Sequence, residues 1–317
     1  MSPVVEPATG LLLEQMRAGG GKPLYEMTVD DVRAMMVGSS QVLAGPRVEV
    51  DSVVDRTLAT AVGDVPVRIY TPAGAQSRPL PLLGYFHGGG FVGGDLDTHD
   101  GTARYLCQNS EAIVVAVHYR RPPEHKFPAA VDDAQATVAW MADHARELGG
   151  DASRLALAGD SAGGNLATVV AQMAAEGHGP RLAYQALFYP LVDFTLGTSP
   201  SRTQFGGGDY FLSNRDMAWF REHYLADPSQ ATDPRVSPLL ASDLHGLPPT
   251  LIVAAECDLL NDEGRAYADR LAAAGVPVEY RCFSGTIHAF MSFAGAIPIG
   301  REALEFASGR IKAALHG

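Results

Sequence analysis

Cysteine is scarce in this chain. Three thiols, Cys107, Cys257 and Cys282, stand among 317 residues, too few and odd in number for a disulfide framework. The fold must hold by packing, and a reducing, cytoplasmic setting is expected. Cys257 reads as a small buried thiol rather than a redox switch. Long apolar runs are also missing. Hydrophobic residues make up 46% of the chain, yet no stretch reaches the roughly 20 residues that a membrane span needs. The opening Met-Ser-Pro-Val-Val-Glu-Pro has no basic segment followed by an apolar one, so no signal peptide is visible. Basic clusters are absent too: 24 Lys and Arg against 36 Asp and Glu leave a net charge of −12. Nucleic acid and anionic membranes are therefore poor partners. The histidines lack a paired spacing such as His-x-x-x-His, so no metal is expected.

Strand and helix patterns alternate, without repeats or low-complexity runs. Strands are predicted at Glu49–Arg56, Val65–Thr71, Pro81–Phe86, Ile113–Tyr119, Leu155–Ala158, Ala183–Tyr189, Thr250–Ala255 and Val278–Phe283. Helices are predicted at about Ala129–Leu148, Ala162–Ala175, Asn261–Ala274 and Gly300–Leu315. This alternation implies an α/β fold: a mostly parallel eight-stranded sheet with helices on both faces. The length slightly exceeds what one core usually holds, which suits a core plus a cap. Two segments fall outside the sheet. Residues 1–47 carry candidate helices at Leu11–Ala18 and Val29–Leu43, and residues 194–227 form a helical insert. The core is expected at 48–193 and 228–317, with the other two segments as cap. In the insert Met217, Phe220 and Tyr224 share one helical face. That face serves cap-to-core packing, an acyl-pocket wall, or both.

The most informative segment is Gly159-Asp160-Ser161-Ala162-Gly163. A strand-like run feeds it and a helix-forming run leaves it, the context of a nucleophile elbow. Such a turn pushes the serine hydroxyl out of the sheet, and side chains two residues to either side would collide with the neighbouring chain. Upstream, His87-Gly88-Gly89-Gly90-Phe91 follows another strand. Backbone N–H groups left unobstructed there can converge on one oxygen. Gly88, Gly90 and Gly93 also satisfy a dinucleotide fingerprint. That reading needs a helix at the third glycine and an acidic residue after the next strand; instead the next strand ends in His118 and Tyr119. His87 is assigned a structural role, holding the loop by hydrogen bonding.

On such a scaffold the triad runs serine, acid, histidine along the chain. Only His288 combines that order with a loop after the last strand. For the acid, Asp258 lies two residues past a strand end. Asp262 and Glu263 compete, but they sit at a helix start, where acids serve as caps.

These residues resemble a known family. His-Gly-Gly-Gly-Phe (87–91), Gly-Asp-Ser-Ala-Gly-Gly (159–164), Asp-x-x-x-Asp-Glu-Gly (258–264) and Gly-x-Ile-His-x-Phe (285–290) look like the bacterial hormone-sensitive-lipase-like esterases. So do Pro123-Glu124-His125, Phe127-Pro128-Ala129 and Tyr189-Pro190. The resemblance runs strongly over about residues 45 to 317. It implies an α/β-hydrolase with a helical cap that cleaves short- to medium-chain acyl esters without a cofactor. Carried over, Ser161 is nucleophile, His288 base and Asp258 acid, with the N–H groups of Gly88, Gly89 and Ala162 as oxyanion donors. Phe91, Phe211, Trp219 and Phe220 are candidate substrate contacts. The expected partner is a small-molecule ester; stable membrane association is not expected, and a homodimer is left open. His118, Arg121, Pro122 and Leu259 depart from the family pattern, and the first three bear on the packing around Glu124. Plant gibberellin receptors resemble the family but lack its catalytic histidine; His288 is present here, which favours an enzyme.

Overall fold

The computed structural model describes residues 4–74 and 79–317. In chain order the elements are α1 (Pro7–Ala18), α2 (Val29–Leu43), β1 (Ser52–Thr60), β2 (Gly63–Thr71), β3 (Leu80–Phe86), α3 (Asp100–Ser110), β4 (Ile113–Val117), α4 (Ala129–Asp143), β5 (Gly150–Asp160), α5 (Ala162–Ala175), β6 (Tyr184–Phe188), α6 (Pro200–Phe205), α7 (Asn214–Tyr224), β7 (Thr250–Cys257), α8 (Asn261–Ala273), β8 (Val278–Ile287) and α9 (Pro298–His316).

The eight strands form one sheet in the order β1-β2-β4-β3-β5-β6-β7-β8. β2 runs antiparallel to β1 and β4, and every other pairing is parallel. Every residue of β3, β4 and β6 is buried, as strands covered on both faces must be. Helix α3 packs with α9, and α4 packs with α5. Because β3, β5, β6 and β7 are parallel neighbours, their carboxyl ends open onto one edge of the sheet, where an open α/β sheet presents its functional loops.

All eight expected strands form, with shifted ends. β1 starts three residues later than expected and closes an antiparallel hairpin on β2 through the turn at Thr60 and Gly63. β5 begins earlier, and its pairing with β3 is irregular between Pro81 and Leu82. Helix α3 was not expected. Its buried side mixes Thr102, Arg104 and Ser110 with Leu106 and Cys107, so the sequence lacks a clean apolar stripe there. Arg104 is neutralised by Asp100 one turn earlier, at 2.7 Å. No helix among the described residues is long and apolar enough to cross a membrane.

Candidate active site

The elbow forms where β5 meets α5. Ser161 sits at φ 54° and ψ −117°, a conformation that is costly for a residue with a side chain. The turn is so tight that its glycines are obligatory. A Cβ on Gly159 would lie 2.2 Å from the Gly163 carbonyl oxygen, and one on Gly163 would lie 1.9 Å from that of Phe86. The backbone around the serine is pinned: its N–H donates to Phe188 O at 2.8 Å, and its carbonyl accepts from Leu191 at 3.1 Å.

Two loops bring partners to the hydroxyl. After β8, His288 places Nε2 2.8 Å from Ser161 Oγ. After β7, Asp258 places Oδ2 2.7 Å from His288 Nδ1. The other carboxylate oxygen of Asp258 accepts the Leu260 N–H at 2.9 Å, which fixes its orientation. Both residues are nearly inaccessible, at 2% for Asp258 and 4% for His288. Tyr189 presents its ring edge-on to the imidazole at 5.0 Å. The competing acids lie elsewhere. Asp262 accepts the Ser201 N–H at 2.7 Å. Glu263 pairs with Arg202 at 2.7 Å and takes the Val192 N–H. Both carboxylates anchor α6 and the chain after β6. Burial drives Glu263 up to about 7 although Arg202 opposes the shift.

The glycine loop requires one correction. The Gly88 N–H donates to Asp160 Oδ1 at 3.0 Å, so it is not the free donor that was expected. The N–H groups of Gly89 and Gly90 have no protein acceptor among the described residues, and Ala162, first in α5, has none either. Sequence reasoning missed Gly90, because nothing in a run of three glycines says which N–H a distant carboxylate will take. His87 plays the part assigned to it. Its Nδ1 lies 2.8 Å from Gly88 O, and its ring stacks on Tyr119 at 4.3 Å. Burial, with His99 nearby, lowers its pKa to about 3, so the ring is neutral.

The candidate substrate contacts divide. Phe91 has no accessible surface and stacks on Tyr224 at 3.8 Å with the rings parallel. That is a second correction: a ring with no exposed face packs the insert onto the glycine loop and is not an open pocket wall. Phe220, 4% exposed, belongs to the same packing, close over Gly90. Trp219 is half-buried against His223 at 4.0 Å. Phe211 remains 37% exposed, edge-on to Phe293. Met217, Phe220 and Tyr224 are all buried, so the shared helical face is a packing face. No group of three or more His, Cys, Asp or Glu among the described residues has metal-site geometry.

Residues 83–292 match the family model described as the alpha/beta hydrolase fold. Among curated proteins the chain is similar to the carboxylic ester hydrolase LipN of Mycobacterium tuberculosis, 42% identical over 91% of this chain and 77% of that one. It is also similar to an ethyl acetate hydrolase of Pseudomonas putida, 39% identical over 95% of this chain and 96% of that one. Among solved structures, an ester hydrolase from the metagenome of Lake Arreo superposes with a TM-score of 0.95 at 40% identity, covering 99% of this chain and 100% of that one. An esterase of Pyrobaculum calidifontis gives 0.92 at 40% identity, covering 98% of both chains. With the family model matched over most of its length and relatives this close, the chain belongs to the α/β-hydrolase family, among the hormone-sensitive-lipase-like esterases.

Proposed function

We propose that the protein is a serine carboxylesterase that hydrolyses short- to medium-chain acyl esters through an acyl-enzyme. The observation that carries this reading is the unbroken line Asp258–His288–Ser161, at 2.7 and 2.8 Å, beside three backbone N–H groups without acceptors among the described residues. Ser161 Oγ attacks the ester carbonyl carbon while His288 Nε2 takes its proton. The carboxylate of Asp258 holds the imidazole with Nδ1 protonated and stabilises the cation that forms. The N–H groups of Gly89, Gly90 and Ala162 face the tetrahedral oxyanion. His288 then protonates the departing alcohol, and water repeats the sequence on the acyl-enzyme. The relatives named as ester and ethyl acetate hydrolases support the substrate class.

We also assign residues 1–47 and 194–227 to one cap, with residues 1–3 lying outside the described residues. Arg17 donates to Asp209 O, and the Tyr25 N–H reaches Asp216. Arg215 lies 3.9 Å over the Tyr25 ring. The three unpaired thiols support a cytoplasmic setting. The test is a series of p-nitrophenyl esters of increasing acyl length, run with wild type and Ser161→Ala. Hydrolysis that depends on Ser161 and peaks at short to medium acyl length is expected. An active, folded Ser161→Ala protein would overturn the assignment.

A further inference from the structure

Asp160, immediately before the nucleophile, is an ionisable group that the acyl-transfer steps do not use. It is 3% exposed. Its Oδ1 accepts the Tyr85 hydroxyl at 2.7 Å and the Gly88 N–H at 3.0 Å. Its Oδ2 lies 3.4 Å from His99 Nε2. Gly88 is glycine for this contact, since a Cβ there would sit 2.4 Å from that Oδ2. One carboxylate thus ties the elbow to the glycine loop. A buried carboxylate needs a counter-charge, and among the described residues His99 is the one that forms an ion pair with it. Tyr85 and Tyr119 are phenols pushed well above their ordinary range by burial, as is Tyr189. His87, 5.4 Å from His99 between ring centres, is neutral for the reasons given above.

We infer that His99 is a positioning residue: its imidazolium, paired with Asp160, holds the Gly88 N–H and so keeps the following loop N–H groups aimed at the oxyanion. The inference rests on the assignment of Ser161 as nucleophile. The groups facing His99 are Asp160, Asp95, the Thr98 hydroxyl at 2.9 Å from Nδ1, His87 and Tyr85. His118 faces His87 from β4's end at 6.4 Å. Burial alone would depress the His99 imidazolium, but the two aspartates more than offset it and its pKa is raised. Burial would likewise raise Asp160, yet His99 and the Tyr85 hydroxyl bring it below the ordinary value. A loop that drifts out of register weakens binding of the tetrahedral intermediate more than binding of the planar ester.

The experiment compares wild type, His99→Gln and Ser161→Ala on p-nitrophenyl butyrate. It also follows the His99 ring nitrogens by 15N NMR in wild type and Asp160→Asn. His99→Gln is expected to lower kcat about 10- to 100-fold, less than the loss of an entire oxyanion donor, with KM changed less than about twofold. The wild-type ring is expected to be cationic at pH 7.5 and to lose that charge in Asp160→Asn. A His99→Gln enzyme that melts earlier but keeps its kcat overturns the inference, as does a neutral wild-type ring. If His99→Gln does not fold, the wild-type spectrum decides alone. An active Ser161→Ala enzyme would instead overturn the nucleophile, so the two failures are distinct.

Discussion

At the scale of single residues, the site separates carboxylates that are close in sequence by what each one touches. Asp258 reaches His288, whereas Asp262, four positions on, holds the Ser201 N–H. Asp258→Asn should therefore cut kcat by about 10⁴, as when a triad aspartate loses its charge and the imidazole takes the wrong tautomer. Asp262→Asn should cost only about 0.5–2 kcal/mol of stability with kcat nearly intact, the range for a backbone-capping carboxylate. Steady-state kinetics and thermal melts of the two variants check this, and a reversed order of severity would move the acid to Asp262. Ser161→Ala removes one oxygen from a strained turn. It should abolish ester hydrolysis apart from a residual rate of about 10³–10⁴ over water from the remaining donors, with an unchanged circular dichroism spectrum. The meeting of Ser161, His288 and Asp258 was legible because chain order and strand ends constrain them. Which loop N–H groups stay free was not, because Gly88 is claimed by a carboxylate that arrives from β5, 72 residues away in the chain.

At the scale of elements, the junctions carry the tight tolerances. Gly163→Ala would place a methyl group 1.9 Å from Phe86 O, an atom of the central strand β3 that cannot yield. The expected outcome is an insoluble or inactive protein, read from soluble yield and burst amplitude. Gly309, in the exposed part of α9 with nothing near its Cβ position, should accept alanine and gain up to about 1 kcal/mol. The docking of α2 has a pH signature. Arg33 grips Glu124 at 2.7 and 2.8 Å and also donates to Val92 O and Pro122 O. The region where the sequence departs from its family is thus held by a fork from the N-terminal segment. The Arg33 hydrogen bonds lower Glu124 from 4.5 to about 2. A depressed carboxylate stabilises the fold above its unfolded value and loses that contribution as pH falls toward its folded one. Wild type should therefore melt above Glu124→Gln at pH 7, with the gap closing between about pH 4.5 and 2. Because Glu124 is half exposed, the gap should stay within about 1 kcal/mol. The sheet's composition was legible from apolar runs and alternation. Helix α3 was not, because its buried side carries polar residues that are satisfied within the helix itself, Arg104 by Asp100 and Ser110 Oγ by Leu106 O, which breaks the apolar stripe a sequence reading looks for.

At the scale of the whole molecule, the glycine loop and α7 share one packed aromatic layer. Phe91, Phe194 and Tyr224 lie within 6.2 Å of one another between ring centres, and none has accessible surface. Aromatic bulk that is already packed cannot also receive a long acyl chain unless α7 lifts away. The large exposed apolar residues, among them Leu11, Val42, Val54, Phe211 and Leu240, are spread over the N-terminal helices, the β1–β2 hairpin and the insert and its flank. With a net charge of −12, they make a poor surface for an oil–water or anionic lipid interface. Each methylene that the site buries adds about 0.8 kcal/mol, so kcat/KM should climb roughly fourfold per carbon while the acyl chain still finds a wall. That climb should end before about ten carbons, where the packed layer blocks further burial and added methylenes remain in water. Rates on p-nitrophenyl esters from acetate to palmitate, taken below and above each ester's solubility limit, measure this directly. A slope that persists past ten carbons, or a jump in rate when droplets form, would mean that the aromatic layer opens and that the cap is a lipid-responsive lid.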